Sequence, residues 1–152
     1  MQTAETFDVS TLAWIKGELD ATLKDARDAL EAFAAAPEDV GHLDGCVDAL
    51  HQVHRILQMV ELSSAARFLA EAKAFALALQ RGELKEGEYE VAQEALMDAI
   101  LALPDYLDGL QNGRPDSLLP LLPLVNEMRR LRGETEWSGS SAFHPDLSIQ
   151  PP

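Results

Sequence analysis

The feature that most limits how this chain can fold is a run of apolar residues spaced by three or four. Leu12, Ile15, Leu19, Leu23, Ala26, Leu30 and Phe33 recur with the period of an α-helix, which lays all seven along one face. In a strand, with its period of two, they would scatter over both faces. The stripe predicts one long first helix following the cap candidates Asp8, Ser10 and Thr11. It ends in "AAAPEDVG", where Pro37 blocks continuation and Asp39 can cap the next helix.

Four further segments carry helical signals. The second helix is expected from about Val40 to about Leu62, with Leu43, Cys46, Val47, Leu50, Val53, Leu57 and Val60 on its core side and Gly41 and Gly45 weakening its first turns. The third has Ser63 or Ser64 as N-cap, the stripe Ala65, Phe68, Leu69, Ala72, Phe75, Ala76 and Leu79, and a stop at Arg81 and Gly82. The fourth starts near Lys85 or Glu86 with Tyr89, Ala92, Leu96, Ile100 and Leu103 inward, and Pro104 should kink or interrupt it. After the turn signal "QNGRPD", "SLLPLLPLVNEMRRLRG" reads as a fifth helix with prolines in its first turns and basic residues at its end. Ala and Leu dominate and no segment reads as a strand, so the fold class is all-α. The expected architecture is an antiparallel bundle of about five helices over residues 10–133, after a flexible N-terminus over 1–9. From Glu134 the stripe vanishes and Ser, Gly and Pro take over, so 134–152 reads as an irregular tail or a linker to a downstream region, and the chain as a piece of a longer protein.

Charge narrows the function. Twenty-six acidic against twelve basic residues give a net charge of −14, which repels nucleic acid and anionic lipid. The apolar stretch "SLLPLLPLV" is too short and too proline-rich to span a bilayer, and "MQTAETFDVS" has no signal-peptide pattern, so no membrane insertion and a cytoplasmic location are expected. The single cysteine, Cys46, forms no intramolecular disulfide and reads as a small core residue. No glycine-rich phosphate loop, nucleophile elbow or paired-cysteine motif is present, so no cofactor is implied. The carboxylates of "ELDATLKDARDALE" read as a solvated helix face. Trp14 is expected to be partly exposed, and Trp137 reads as a loosely packed tail aromatic or as a docking anchor.

The stretch "LHQVHRILQMVEL" holds two of the four histidines. At about 100° per residue, His54 falls about 50° from the centre of the apolar stripe, on its margin, and His51 lies further out. Arg55, Gln58, Met59 and Leu62 form the outward ridge. A phosphoryl-accepting imidazole needs an open ring nitrogen and a nearby cation. A zinc site needs three or four ligands, and His51 with His54 supplies two, with Asp48 or Glu61 as the remaining candidates on the same segment. Ordinary surface histidines and a phosphoacceptor at His54 or His51 both stay open.

The longer segment "LHQVHRILQMVELSSAARFLAEA" resembles the N-terminal helical domain of the chemotaxis-like hybrid histidine kinases of type IV pilus systems, the ChpA/PilL type, and the related FimL proteins. The resemblance rests on "LQMVEL" at Leu57 to Leu62 with Ala65, Ala66, Leu69, Ala70 and Glu71, and on "SLLPLLPLVNEMRRLRGE" and "FHPDLS". It covers most of the chain from Trp14 onward. It implies a diverged histidine-phosphotransfer (Hpt) module, whose active members carry "HxLKG". Aligning Leu57 with the motif's Leu puts Arg55 at the phosphoacceptor, Gln58 at the lysine and Met59 at the glycine. A shift of one residue would make His54 the acceptor, with Leu57 replacing the lysine and Gln58 the glycine.

The resemblance therefore implies a degenerate Hpt-like interaction domain, not catalytic by itself, of a two-component kinase controlling type IV pili and twitching motility. It would dock a response regulator or polar scaffold protein through Arg55, Gln58, Met59 and Leu62, with Arg67 on the next helix, and be recruited to the cell pole through partners. The alternatives are an active phosphotransfer domain using His54 and a homodimer formed through the fifth helix.

Overall fold

The computed structural model describes residues 9–138 and contains, among them, five α-helices and no strand. They are α1 (Val9–Ala35), α2 (Leu43–Met59), α3 (Ser63–Gln80), α4 (Tyr89–Gln111) and α5 (Leu122–Arg132). α1 packs against α2 and α4, α2 against α3, and α3 against α4 and α5. The seven apolar residues of the α1 stripe are all buried, as are the seven of α3, so one core runs the length of the bundle. A Cβ at Gly45 would touch the Ala29 Cβ at 3.4 Å, so α1 and α2 approach closely in an antiparallel hairpin. Cys46 is fully covered, and burial pushes its thiol up to about 12, which keeps it protonated and inert at neutral pH.

The helix ends depart from the sequence expectations in instructive ways. α1 begins at Val9, so Ser10 and Thr11 lie inside it, and Asp8 is outside the described residues. Asp39 does cap, its carboxylate accepting from the Gly41 N–H at 3.1 Å at the start of a 3-10 turn, Val40–His42. α4 starts at Tyr89 because Gly87, at φ 89°, breaks the chain away from helical geometry after Lys85 and Glu86. Pro104 does not interrupt α4: Leu103 and Leu107, both buried, anchor the helix on each side of the missing N–H. The proline-rich segment forms a 3-10 turn, Leu119–Leu121, before α5, and a proline sits in the first turn of each, where no N–H is needed.

The most consequential difference lies between α2 and α3. The second helix does not reach Leu62 but stops at Met59 in a Schellman motif. The Leu62 N–H bonds to Leu57 O and the Glu61 N–H to Gln58 O, both at 3.0 Å. α3, α4 and α5 end with the same pairing around Gly82, Gly113 and Gly133, each left-handed. In α2 that position is held by Glu61, at φ 64°, a conformation that glycine adopts without strain and glutamate does not.

Neither Ser63 nor Ser64 caps α3; Leu62 occupies the N-cap position and offers no side-chain acceptor. The acceptor comes from 52 residues along the chain: Asp116 takes the Ser64 N–H at 2.9 Å and the Ala65 N–H at 3.2 Å. The Tyr106 hydroxyl donates to the same carboxylate at 2.5 Å and accepts from the Ser117 N–H at 2.6 Å. Burial and then Asp116 hold the Tyr106 phenol above its ordinary range. An anionic oxygen at a helix N-terminus satisfies orphan donors and opposes the helix dipole. On the far side of α3, Glu71 receives Arg129 at 3.0 Å and Arg132 at 3.1 Å, fastening α5. Lys16 bridges Asp20 at 2.9 Å and Asp108 at 3.2 Å, tying α1 to α4.

Two stability changes follow. Asp116→Ala should lower unfolding free energy by about 1–3 kcal/mol in urea denaturation, because it leaves two helix-terminal N–H groups without their acceptor and the Tyr106 hydroxyl with only the Ser117 carbonyl at 3.1 Å. A loss below about 0.5 kcal/mol would show that water replaces the cap. Glu61→Gly should instead stabilise the fold, by about 1 kcal/mol, by removing the left-handed strain; a destabilised variant would contradict that reading of the junction.

Candidate protein-docking site

The helix stop at Met59 decides what the outer face of α2 presents. Arg55, Gln58 and Met59 are exposed, Met59 at 76%, and with Gln52 and Ile56 they line a shallow concavity of about 500 Å³. Leu62 does not join them, contrary to its placement on the outward ridge. The Schellman turn reverses the chain before Leu62, whose side chain is 6% exposed. It belongs to the same apolar core as Leu57. The antiparallel α1–α2 pairing brings Trp14, 70% exposed, to the Met59 end of the bundle. Two large exposed apolar side chains at one end are the kind of surface that binds proteins.

Arg67 lies elsewhere. Its guanidinium stacks on the Trp137 ring, 4.5 Å from the centroid, and Arg129 stacks on the same ring at 4.9 Å. The Trp137 N–H donates to Asn126 Oδ1 at 2.7 Å, and Asn126 Nδ2 donates to the Trp137 carbonyl at 2.9 Å. The Arg129 Nε–H donates to the Thr135 carbonyl. The tail is therefore fastened across α3 and α5 up to Trp137, and that aromatic is partly buried against the bundle's own residues. The "FHPDLS" stretch lies outside the described residues.

The histidines divide by exposure. His51 is exposed, and its Nδ1 lies 3.0 Å from Lys73 Nζ. An ammonium has only donors, so in this contact it is Lys73 that donates to Nδ1. His54 is half-buried; burial, then the charges of Lys73 and His51, hold it below its ordinary value of 6.5. No group of three metal-ligating side chains occurs among the described residues. The apolar side of the fifth helix is spent within the chain, with Val125, Met128 and Leu131 buried. A second groove, of about 470 Å³ and lined by Tyr106, Leu110, Leu119 and Leu124 among others, runs between α4 and the turn preceding α5. It arises from tertiary packing and had no periodic signal in the sequence.

Chemically, the ridge can grip but not transfer. A guanidinium at Arg55 stays protonated and cannot carry a phosphoryl group as an imidazole does. The nearest imidazole along α2, His54, is folded in its neutral form. Because the unfolded chain takes up a proton at His54 before the folded one does, stability should fall as pH drops below about 6.5. Thermal midpoints measured between about pH 7.5 and 5.5 should decline in the wild type and decline less in His54→Gln. Equal slopes would remove His54 as the cause.

With this geometry in view, the chain's relatives are informative. The FimL C-terminal domain family matches residues 10–127. Over 143 residues the chain is 30% identical to the scaffold protein FimL of Pseudomonas aeruginosa, covering 94% of this chain and 25% of that protein. The chain thus spans about a quarter of the length of that curated relative. No solved structure matches it. Among the described residues no helix is long and apolar enough to cross a membrane. Of the two branches of the resemblance, kinase and FimL, the matches fall on FimL: the chain belongs to the FimL C-terminal domain family.

Proposed function

We propose that this chain is a non-catalytic, Hpt-like interaction domain that docks a protein of a type IV pilus chemosensory pathway through the outer face of α2. A response regulator or a polar scaffold protein is the partner, and docking recruits the chain to the cell pole from the cytoplasm. The observation that carries the reading is the exposed ridge of Arg55, Gln58 and Met59 with its concavity. Among the described residues Met59 is the most exposed of the large apolar side chains, at 76%, and a flexible thioether on a helix face adapts to a docking partner. The name of the relative, scaffold protein FimL, agrees with docking rather than catalysis.

A helix face of this kind binds through a small central contact surrounded by polar groups. Met59 is that centre, Arg55 and Gln58 its rim, and Trp14 an extension from α1. Arg67, already stacked on Trp137, contributes at most through the tail it holds.

The experiment is a calorimetric titration of the chain with the purified response regulators and pole scaffold of its own pathway. One of them should bind, Met59→Asp should weaken the interaction at least about tenfold, and His54→Gln should leave it unchanged. Absence of binding to all of them would sink the docking reading. Incubation with an active kinase and labelled ATP provides the second arm: no acid-labile label should appear, and a label lost in His54→Gln would establish the phosphotransfer alternative instead.

A further inference from the structure

The acidic residues are unevenly placed. α1 carries Glu18, Asp20, Asp25, Asp28 and Glu31, and α4 carries Glu90, Glu94, Asp98, Asp105 and Asp108. From Ala49 to Val60 the chain has no carboxylate at all; Asp48 and Glu61 bracket the stretch. α3 has only Glu71, and both of its oxygens are turned to Arg129 and Arg132 on α5. Where α2 meets α3, Lys73 reaches His51 and its charge acts on His54, while Arg55 stands one turn along α2 from His51, in a molecule of net charge −14.

Arg55 and Lys73 are the cations of this region, inside a chain rich in anions. Lys16, Lys24, Arg129, Arg130 and Arg132 each have a carboxylate partner. Among the described residues neither Arg55 nor Lys73 forms an ion pair, and Lys73 Nζ lies 3.0 Å from His51 Nδ1. The charges that act on His54 are Lys73 and His51, with no carboxylate contributing. A local positive field on an otherwise negative surface selects what approaches it, because like-charged faces of the same molecule repel the same partner.

We propose that this α2/α3 face docks an acidic segment of a partner protein, whose carboxylates meet Lys73 and Arg55 while an apolar side chain covers Met59. The inference rests on the docking reading and adds the partner's chemistry. Carboxylates fit better than nucleic acid phosphates, since the ten acids of α1 and α4 would repel a long polyanion running past the face.

The test replaces Met59 with the photo-crosslinker p-benzoylphenylalanine in the full-length protein in its native host, followed by sequencing of the crosslinked peptide. The peptide should carry a net negative charge. Arg55→Glu combined with Lys73→Glu should lower the crosslink yield about tenfold, with the thermal midpoint unchanged, while Glu94→Lys on α4 should leave the yield intact. If the double reversal disturbs folding, Arg55→Gln with Lys73→Gln reads the same loss at smaller size. A neutral or basic peptide, a yield indifferent to these charges, or an adduct with nucleic acid would overturn this inference and leave protein docking standing or falling by the calorimetric result. No adduct of any kind would overturn it together with the docking reading.

Discussion

The short junction between α2 and α3 governs how this bundle presents itself. There the chain must end one helix, reverse, and start another within three residues, Val60 to Leu62. The Schellman pairing closes the first helix, and Leu62 turns inward on the second side of the turn. The cost is a glutamate in a left-handed conformation. The new helix is then held from outside by Asp116, itself gripped by Tyr106. Without that remote carboxylate the first N–H groups of α3 would have no protein acceptor, and the position of the junction would be set by side-chain packing alone.

Because the junction fixes where α2 ends, it also fixes what its last turn offers. One further turn of helix would have carried Leu62 around to the outside and Met59 into the middle of a long face. Stopping early leaves Met59 at the same end of the bundle as the exposed Trp14, with Arg55 one turn behind. Strain tolerated at such a point is what is expected where surface shape matters more than the last kcal/mol of stability. The charge pattern is consistent with this: compensated ion pairs fasten α1 to α4 and α5 to α3, while among the described residues Arg55 and Lys73 form none.

Much of the fold was legible in the sequence because it rests on local periodicity. The stripes of α1 and α3 name the core residue by residue, Cys46 sits on an apolar stripe, and the prolines of the fifth helix fall at its start. What could not be read depends on contacts distant in sequence or on an atypical residue. The cap of α3 is supplied from 52 residues away, so the local serines were the natural but mistaken choice. The end of α2 lacks the glycine that marks the ends of α3, α4 and α5, so the helix seemed to continue through Glu61 and carried Leu62 to the wrong side. Pro104 signalled a break that buried neighbours override. Trp137 has no periodic context, and only the folded chain brings Arg67, Asn126 and Arg129 around it. At the candidate site, helical phase was enough for Arg55, Gln58 and Met59 but not for the Lys73 that meets His51 from another helix.

The central claim, that the last turns of α2 form the docking surface, is tested most directly by amide chemical-shift mapping of the labelled chain as the pathway's response regulator or pole scaffold is added. The account predicts that the largest perturbations fall on residues 51–59 of α2 and around Lys73 of α3, with the amides of α4 from Glu90 to Asp98 unmoved. Perturbations centred on α1 and α4, or on the groove beside Tyr106 and Leu124, would contradict it.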